Sequence, residues 1–113
     1  MSMTTTPEKL ASAITADPRA RLPLLQRFFA GWFHEDWYTD TPSWQDAVDD
    51  FVATTSRATV VATLAELRDL AAAGLDEAAL ADVLLALDCA LVPTGVGLNA
   101  GAWVDALVSR LDR

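Results

Sequence analysis

The sequence is poor in the side chains that build catalytic and metal sites. It contains one histidine, His34, and one cysteine, Cys89, so a disulfide within the chain is excluded. Neither an H-E-x-x-H motif nor a Cys/His cluster is present, and Gly95 and Gly97 lack the preceding strand and third glycine of a phosphate-binding loop. We therefore expect no enzymatic activity, no metal and no cofactor. Because Cys89 follows an apolar run, we expect its thiol to be buried.

Long apolar runs are absent as well. Charged residues interrupt every apolar stretch, so none is long enough to span a bilayer, and residues 1–6 lack the charged-then-apolar order of a signal peptide. These absences favour a cytoplasmic protein without membrane contact. Hydrophobic residues still make up 52% of the 113 positions, which is enough for one core. We expect a flexible N-terminus over residues 1–6 and one domain, a monomer, over residues 7–113.

Basic residues are missing where the acidic residues concentrate. The formal net charge is −8, from 16 acidic and 8 basic residues. The segment 34–50 contains no Lys or Arg, and its acidic residues are Glu35, Asp36, Asp40, Asp46, Asp49 and Asp50. A negative field repels nucleic acid, whose binding needs Lys and Arg to displace counterions, and it attracts basic protein surfaces. The charge pattern therefore predicts a protein partner and no nucleic acid.

Apolar residues recur at helical spacing throughout the chain, and no convincing alternation of period two is found. The pattern predicts an all-α fold, a compact single-domain bundle of five to six short helices. The second helix should become regular near Pro23, since proline is tolerated only in the first turn. The helices are expected over residues 7–16 (capped by Thr6), 20–33, 41–54 (capped by Thr41), 56–74, and after the caps Asp76 and Asn99, with loops over 34–40 and 93–97.

Eight of the nine aromatic residues lie between Phe28 and Phe51. Most of them follow the spacing of buried helix faces and are expected in the core. Trp37 and Tyr38 fall beyond the helical stripe, so they fit either packing in the core or exposure in a binding surface. The residues expected on buried faces are Leu25, Phe28, Phe29, Trp32 and Phe33, then Trp44, Val48, Phe51 and Val52, and then Val60, Val61, Leu64, Leu67 and Ala71. In the last two helices they are Leu80, Val83, Leu84 and Leu87, and then Trp103, Val104, Leu107, Val108 and Leu111.

The acids Asp46, Asp49 and Asp50 are spaced i, i+3 and i+4, which predicts that all three share one helix face. A solvated surface explains this face, and so does a surface that binds a basic partner. The solvated surface is the default explanation, and the lack of a nearby base is an indication for the second, because like charges at this spacing repel one another. The candidate partner-binding residues are Glu35, Asp36, Trp37, Tyr38, Asp40, Asp46, Asp49 and Asp50.

Several short segments also occur in the order found in a known family. Residues 33–37 read F-H-E-D-W, residues 47–51 read A-V-D-D-F, and a leucine-rich helix, a Gly-Leu-Asp-Glu stretch, Cys89 and Trp103 follow. Over residues 22–111 the chain resembles the small helical immunity proteins of bacterial contact-dependent growth inhibition systems. Glu35 replaces a Gln that is usual in that family, and residues 90–91 replace two aromatics that are often present there.

The resemblance implies an inhibitor that binds and neutralises a cognate toxin domain. Toxins of this kind are often nucleases, whose basic active sites would suit an acidic inhibitor. The alternative is a helical adaptor or regulatory domain that docks a different protein through the same residues. Both alternatives are binding functions, and the identity of the partner separates them.

Overall fold

The computed structural model describes residues 7–112, including the side chains of residues 9–39 and 41–112. These residues form eight α-helices and one 3₁₀ turn and contain no strand. Six helices have ten residues or more, which confirms the predicted all-α fold of five to six main helices. The elements are α1 (Pro7–Ala16), α2 (Pro18–Arg21), α3 (Pro23–Trp32), α4 (Trp37–Asp40), α5 (Trp44–Thr54), α6 (Arg57–Ala72), α7 (Glu77–Ala86), the 3₁₀ turn (Pro93–Val96) and α8 (Ala100–Leu111).

Side-chain caps determine where most helices begin. A side-chain oxygen accepts a hydrogen bond from a backbone N–H in the first turn and satisfies a donor that the helix itself leaves free. Asp76 and Asn99 cap α7 and α8 as predicted. The cap of α5 is Ser43 and not Thr41, because Thr41 closes the short helix α4 before it. The predicted cap Thr6 and the predicted flexible segment 1–6 lie outside the described residues.

The predicted second helix is divided at Leu22 into α2 and α3. Proline has no N–H to continue the hydrogen-bond ladder, so a new helix begins at Pro23. Leu22 offers α3 no side-chain cap. Instead, the carboxylate of Glu66 in α6 accepts hydrogen bonds from the N–H groups of Leu24 (3.0 Å) and Leu25 (3.1 Å). A residue far along the chain therefore replaces the local cap of α3.

The core is centred on α6 and α8, which pack against each other. α3 also packs against α6, and α5 and α7 pack against α8. Trp103 of α8 is fully buried, and its indole ring lies 5.8 Å from the Phe29 ring, 5.4 Å from the Phe33 ring and 6.2 Å from the Trp44 ring. These contacts place the predicted core aromatics of α3 and α5 around one tryptophan of the last helix.

Three residues predicted on buried faces are exposed. Val52 and Val61 are 37% and 49% exposed, and Ala71 is exposed in the last turns of α6. At about 100° per residue, Val52 lies roughly 80° from the centre of the buried face of α5. It is therefore beyond the reach of the neighbouring helices. Trp32, also predicted in the core, is half-buried and meets Phe51 edge-on with ring centroids 6.0 Å apart.

Candidate partner-binding site

The segment after α3 forms a turn and one short helix where a loop was predicted. Beyond Phe33, the carbonyl of His34 accepts a hydrogen bond from the Trp37 N–H at 3.0 Å, and its ring Nδ1 accepts one from the Asp36 N–H at 3.1 Å. These bonds reverse the chain and start α4. The Thr41 N–H then bonds to the Trp37 carbonyl at 3.3 Å and ends it. Residues 34–40 are thus held by local hydrogen bonds.

The structure separates the two aromatic residues of this segment. Trp37 is half-buried, and its ring packs 5.8 Å from the Phe33 ring. Tyr38 is 65% exposed, and its ring lies nearly perpendicular to that of Trp37, with ring centroids 6.3 Å apart and planes at 89°. Of the two possibilities that the sequence left for this pair, packing applies to Trp37 and exposure applies to Tyr38.

The acids of the site are exposed, but one of them is paired. Glu35, Asp36, Asp46, Asp49 and Asp50 all lie on the surface, whereas the side chain of Asp40 lies outside the described side chains. Both carboxylate oxygens of Asp49 accept hydrogen bonds from the Arg110 guanidinium of α8, at 3.0 Å and 2.7 Å. The hydrogen bond to Asp49 raises the pKa of Arg110 above its ordinary value, with the charges of Asp49 and Asp46 acting in the same direction and desolvation acting against them. The expectation that no base offsets this acidic segment is therefore wrong for Asp49.

Asp49 and Asp50 point to different sides of α5. Consecutive residues of an α-helix are rotated by about 100°, so only one of them faces α8. Asp50 instead borders a depression of about 190 Å³ that is also lined by His34 and Trp37. Asp46 is exposed, and its carboxylate accepts a hydrogen bond from the Ser43 hydroxyl at 3.0 Å. The acids of α5 are thus distributed over two surfaces, not one.

Three carboxylates of the site have no partner among the described residues. No ion pair or hydrogen bond there involves the side-chain oxygens of Glu35, Asp36 or Asp50. They lie near the half-buried Trp37 and the exposed Tyr38 of α4. Ionised carboxylates accept strong, often bidentate hydrogen bonds from Arg, and tyrosine is enriched in the energetically important centres of interfaces. The arrangement is suited to a basic protein surface. We call Glu35, Asp36, Trp37, Tyr38 and Asp50 the acidic site.

The comparison with known families decides what kind of protein carries this site. The sequence profile of the CdiI immunity protein family matches residues 21–111, from the end of α2 to the end of α8. This chain belongs to the CdiI immunity protein family. No curated protein and no solved structure matches the chain significantly.

Membership implies a function without chemistry of its own. CdiI immunity proteins are non-enzymatic inhibitors that neutralise contact-dependent growth inhibition toxins, and membership implies binding of a cognate CdiA toxin domain. The resemblance seen in the sequence and the predicted class of binding protein are both confirmed. The family match leaves out α1 and all of α2 except its last residue, Arg21.

The remaining residues that could support chemistry are accounted for by packing. The thiol of Cys89 is buried as predicted, and burial raises its pKa to about 12, so it stays protonated at neutral pH. Its sulfur donates to the Leu91 carbonyl at 3.5 Å. Among the described side chains of residues 9–39 and 41–112, no three His, Cys, Asp or Glu converge as metal ligands would. No helix in this part of the chain has the length and apolar character needed to cross a bilayer.

Two groups of residues that bear on the site were missed in the sequence. Arg110 pairs with Asp49 across 61 positions, and no local pattern indicates such a pairing. Leu85 and Val92 are large apolar residues exposed by 64% and 58%. The only sequence signal for Leu85 is that it falls outside the predicted stripe of α7, and Val92 lies between elements, where burial follows no period.

Proposed function

We propose that this CdiI protein neutralises its cognate toxin by placing the acidic site on a basic surface of the toxin domain. The observation that carries the proposal is the group of three carboxylates, Glu35, Asp36 and Asp50, that have no partner within the described residues. A free protein gains nothing from such a concentration of like charge. A bound toxin that supplies Lys or Arg would remove the repulsion and make charge-assisted hydrogen bonds.

The overall charge of the protein supports the same proposal. With a net charge of −8, the chain attracts a basic partner over a distance of about one Debye length and speeds the encounter. A toxin that cleaves nucleic acid has a basic cleft for phosphates, so we further propose that the toxin is a nuclease. The acidic site would then cover the positions that phosphates occupy. We expect the protein to act as a monomer in the cytoplasm, where members of this family typically function.

Binding against salt tests the proposal. The toxin domain encoded beside this gene is titrated with the wild type and with a variant that carries Glu35→Gln, Asp36→Asn and Asp50→Asn. The matched control carries Asp69→Asn, Asp82→Asn and Asp105→Asn, which remove three exposed acids on α6, α7 and α8. The control therefore has the same net charge as the site variant. We expect the site variant to bind at least about tenfold more weakly and with a smaller salt dependence than the control.

Two further outcomes contradict parts of the proposal. Equal affinities for the site variant and the control would show that only net charge matters, and would contradict binding of the toxin at the acidic site. A toxin that kills cells co-expressing the wild-type protein, with no complex at micromolar concentration, would show that the partner is a different one. Assaying the toxin on RNA and DNA tests the nuclease assignment separately.

A further inference from the structure

We infer that the toxin-binding surface extends beyond the acidic site to an apolar groove on α7 and the 3₁₀ turn, and that this groove receives one apolar side chain of the toxin. We call it the Leu85 groove. The inference rests on the proposed function, because the occupant is a segment of the same toxin. It adds a second and chemically different anchor, apolar where the first is charged.

The Leu85 groove is apolar throughout and open to solvent. Its volume is about 80 Å³, and Leu85 and Val92, exposed by 64% and 58%, border it. About 10–15 Å³ of such space holds one water-sized group, so there is room for one side chain of several heavy atoms. A single exposed apolar residue is ordinary, but two at the rim of one groove form a patch that favours binding. The other lining residues are Ala81, Leu84, Cys89, Leu91 and Pro93.

The groove is continuous with the acidic site. Leu85 and Cys89 also line a shallow depression of about 370 Å³, whose other wall contains His34 and Glu35. His34 in turn lines the depression beside Asp50. Three neighbouring depressions therefore share residues from one end to the other. Because Glu35 and Leu85 line the same depression, one partner can contact both the acidic site and the groove.

Hydrogen bonds fix the position of the Leu85 groove relative to the acidic site. The Ala90 N–H bonds to the carbonyl of Phe33, two residues before Glu35, at 2.8 Å. At the end of α7, Asp88 has φ of 65°, and its carboxylate accepts hydrogen bonds from Arg19 of α2 (2.9 and 3.0 Å) and Gln26 of α3 (2.6 Å). The segment after α7 is thus attached to α2 and to the end of α3. Binding therefore costs little conformational entropy there.

The charges along the depressions indicate the chemistry of the occupant. Among the described residues that line the three depressions there is no Lys or Arg, whereas Glu35, Asp50 and Asp88 are acidic. Arg19 offsets Asp88, so the negative field strengthens from the groove toward Trp37. The matching toxin segment has an apolar side chain at one end and basic side chains toward the other. A second copy of this acidic chain would not match, because its charges would repel.

Affinity measurements test the inference. We expect Leu85→Ser with Val92→Ser to weaken binding of the adjacently encoded toxin domain at least tenfold, mainly through faster dissociation and with unchanged salt dependence. Val61→Ser is the matched control, because Val61 is also exposed but lies on α6, away from the three depressions. It should bind as the wild type does. Wild-type affinity of the double variant, with the acidic-site variant weakened, would overturn the groove and leave the proposed function standing.

Chemical protection provides a second readout that does not depend on the loss of affinity. Because Cys89 is buried with a raised pKa, Leu85→Cys introduces the one readily alkylated thiol. We expect the bound toxin to slow its reaction with iodoacetamide at least tenfold, while Val61→Cys stays reactive in the complex. Equal reactivity of both thiols in the complex would overturn the inference. So would a dimer of the free protein that Leu85→Ser dissociates, since a second copy would then occupy the groove.

Discussion

Arg110 of α8 holds the carboxylate of Asp49 of α5 with two parallel hydrogen bonds, Nε to Oδ1 at 3.0 Å and Nη2 to Oδ2 at 2.7 Å. The pair links the two helices and removes Asp49 from the acids available to a partner. Its neighbour Asp50, one position along the same helix, has a side chain with no ion pair or hydrogen bond in the described part of the chain. Adjacent acids of one helix thus have different surroundings.

The first prediction compares these two acids. Asp50→Asn should weaken toxin binding severalfold and reduce its salt dependence, because it removes one of the three charges of the acidic site. Asp49→Asn should change the affinity less than about twofold, because its charge is already offset by Arg110. Titration calorimetry at low and physiological salt measures both variants. A stronger effect of Asp49→Asn would show that the toxin displaces Arg110 and that α5 binds through its other side.

The second prediction concerns the exposed tyrosine of the site. Tyr38→Ala should leave the free energy of unfolding within about 0.5 kcal/mol of the wild type, because the ring is mostly in solvent. The same change should weaken toxin binding at least about tenfold if the ring is an anchor of the interface. Trp37→Ala is the comparison: it should also lower stability, since Trp37 packs on Phe33. Wild-type affinity of Tyr38→Ala would place the interface elsewhere.

The third prediction concerns the buried indole of Trp103. Its Nε1–H is the one buried side-chain N or O atom without a hydrogen-bond partner in the described residues. Trp103→Phe removes this costly donor and keeps an aromatic ring, so the loss in unfolding free energy should stay near 1–2 kcal/mol. Trp103→Ala should cost roughly 3–5 kcal/mol. Urea denaturation measures both, and a loss for Trp103→Phe well above about 2 kcal/mol would mean that the N–H has a partner such as a buried water.

The fourth prediction concerns Glu66, which caps α3 from another helix. Desolvation raises the pKa of its carboxyl, although the N–H groups of Leu25 and Leu24 act in the opposite direction. The folded protein then binds this proton more tightly than the unfolded chain, so ionisation of Glu66 lowers stability as the pH rises through the folded pKa. Glu66→Gln keeps an acceptor and does not ionise. Its stability should therefore improve relative to the wild type between about pH 4 and pH 7.

Glu66→Ala separates the hydrogen bonds from the charge. It leaves two N–H groups at the start of α3 without their acceptor and should be about 1 kcal/mol less stable than Glu66→Gln at any pH in this range. Thermal or urea unfolding of the wild type and both variants at several pH values measures these differences. A stability difference between wild type and Glu66→Gln that does not change with pH would contradict the raised pKa.

The sequence determined the features of this protein that depend on local spacing. Apolar residues three and four apart predict a helix and its buried face, and Asp76 and Asn99 mark helix starts because a cap bonds within one turn. Ordered motifs such as that at residues 33–37 indicated the family, which the profile match over residues 21–111 confirms. Each of these signals lies within a few residues of the feature that it predicts.

Only the tertiary structure decided the features that depend on residues far apart in the chain. Asp49 is paired because α8 brings Arg110 beside α5, and α3 is capped because α6 brings Glu66 to it. Helical spacing placed Val52 on a buried face, but no neighbouring helix covers it. Burial and charge pairing are set by the arrangement of helices in space, and the helical period of one segment carries no information about which other segment will lie against it.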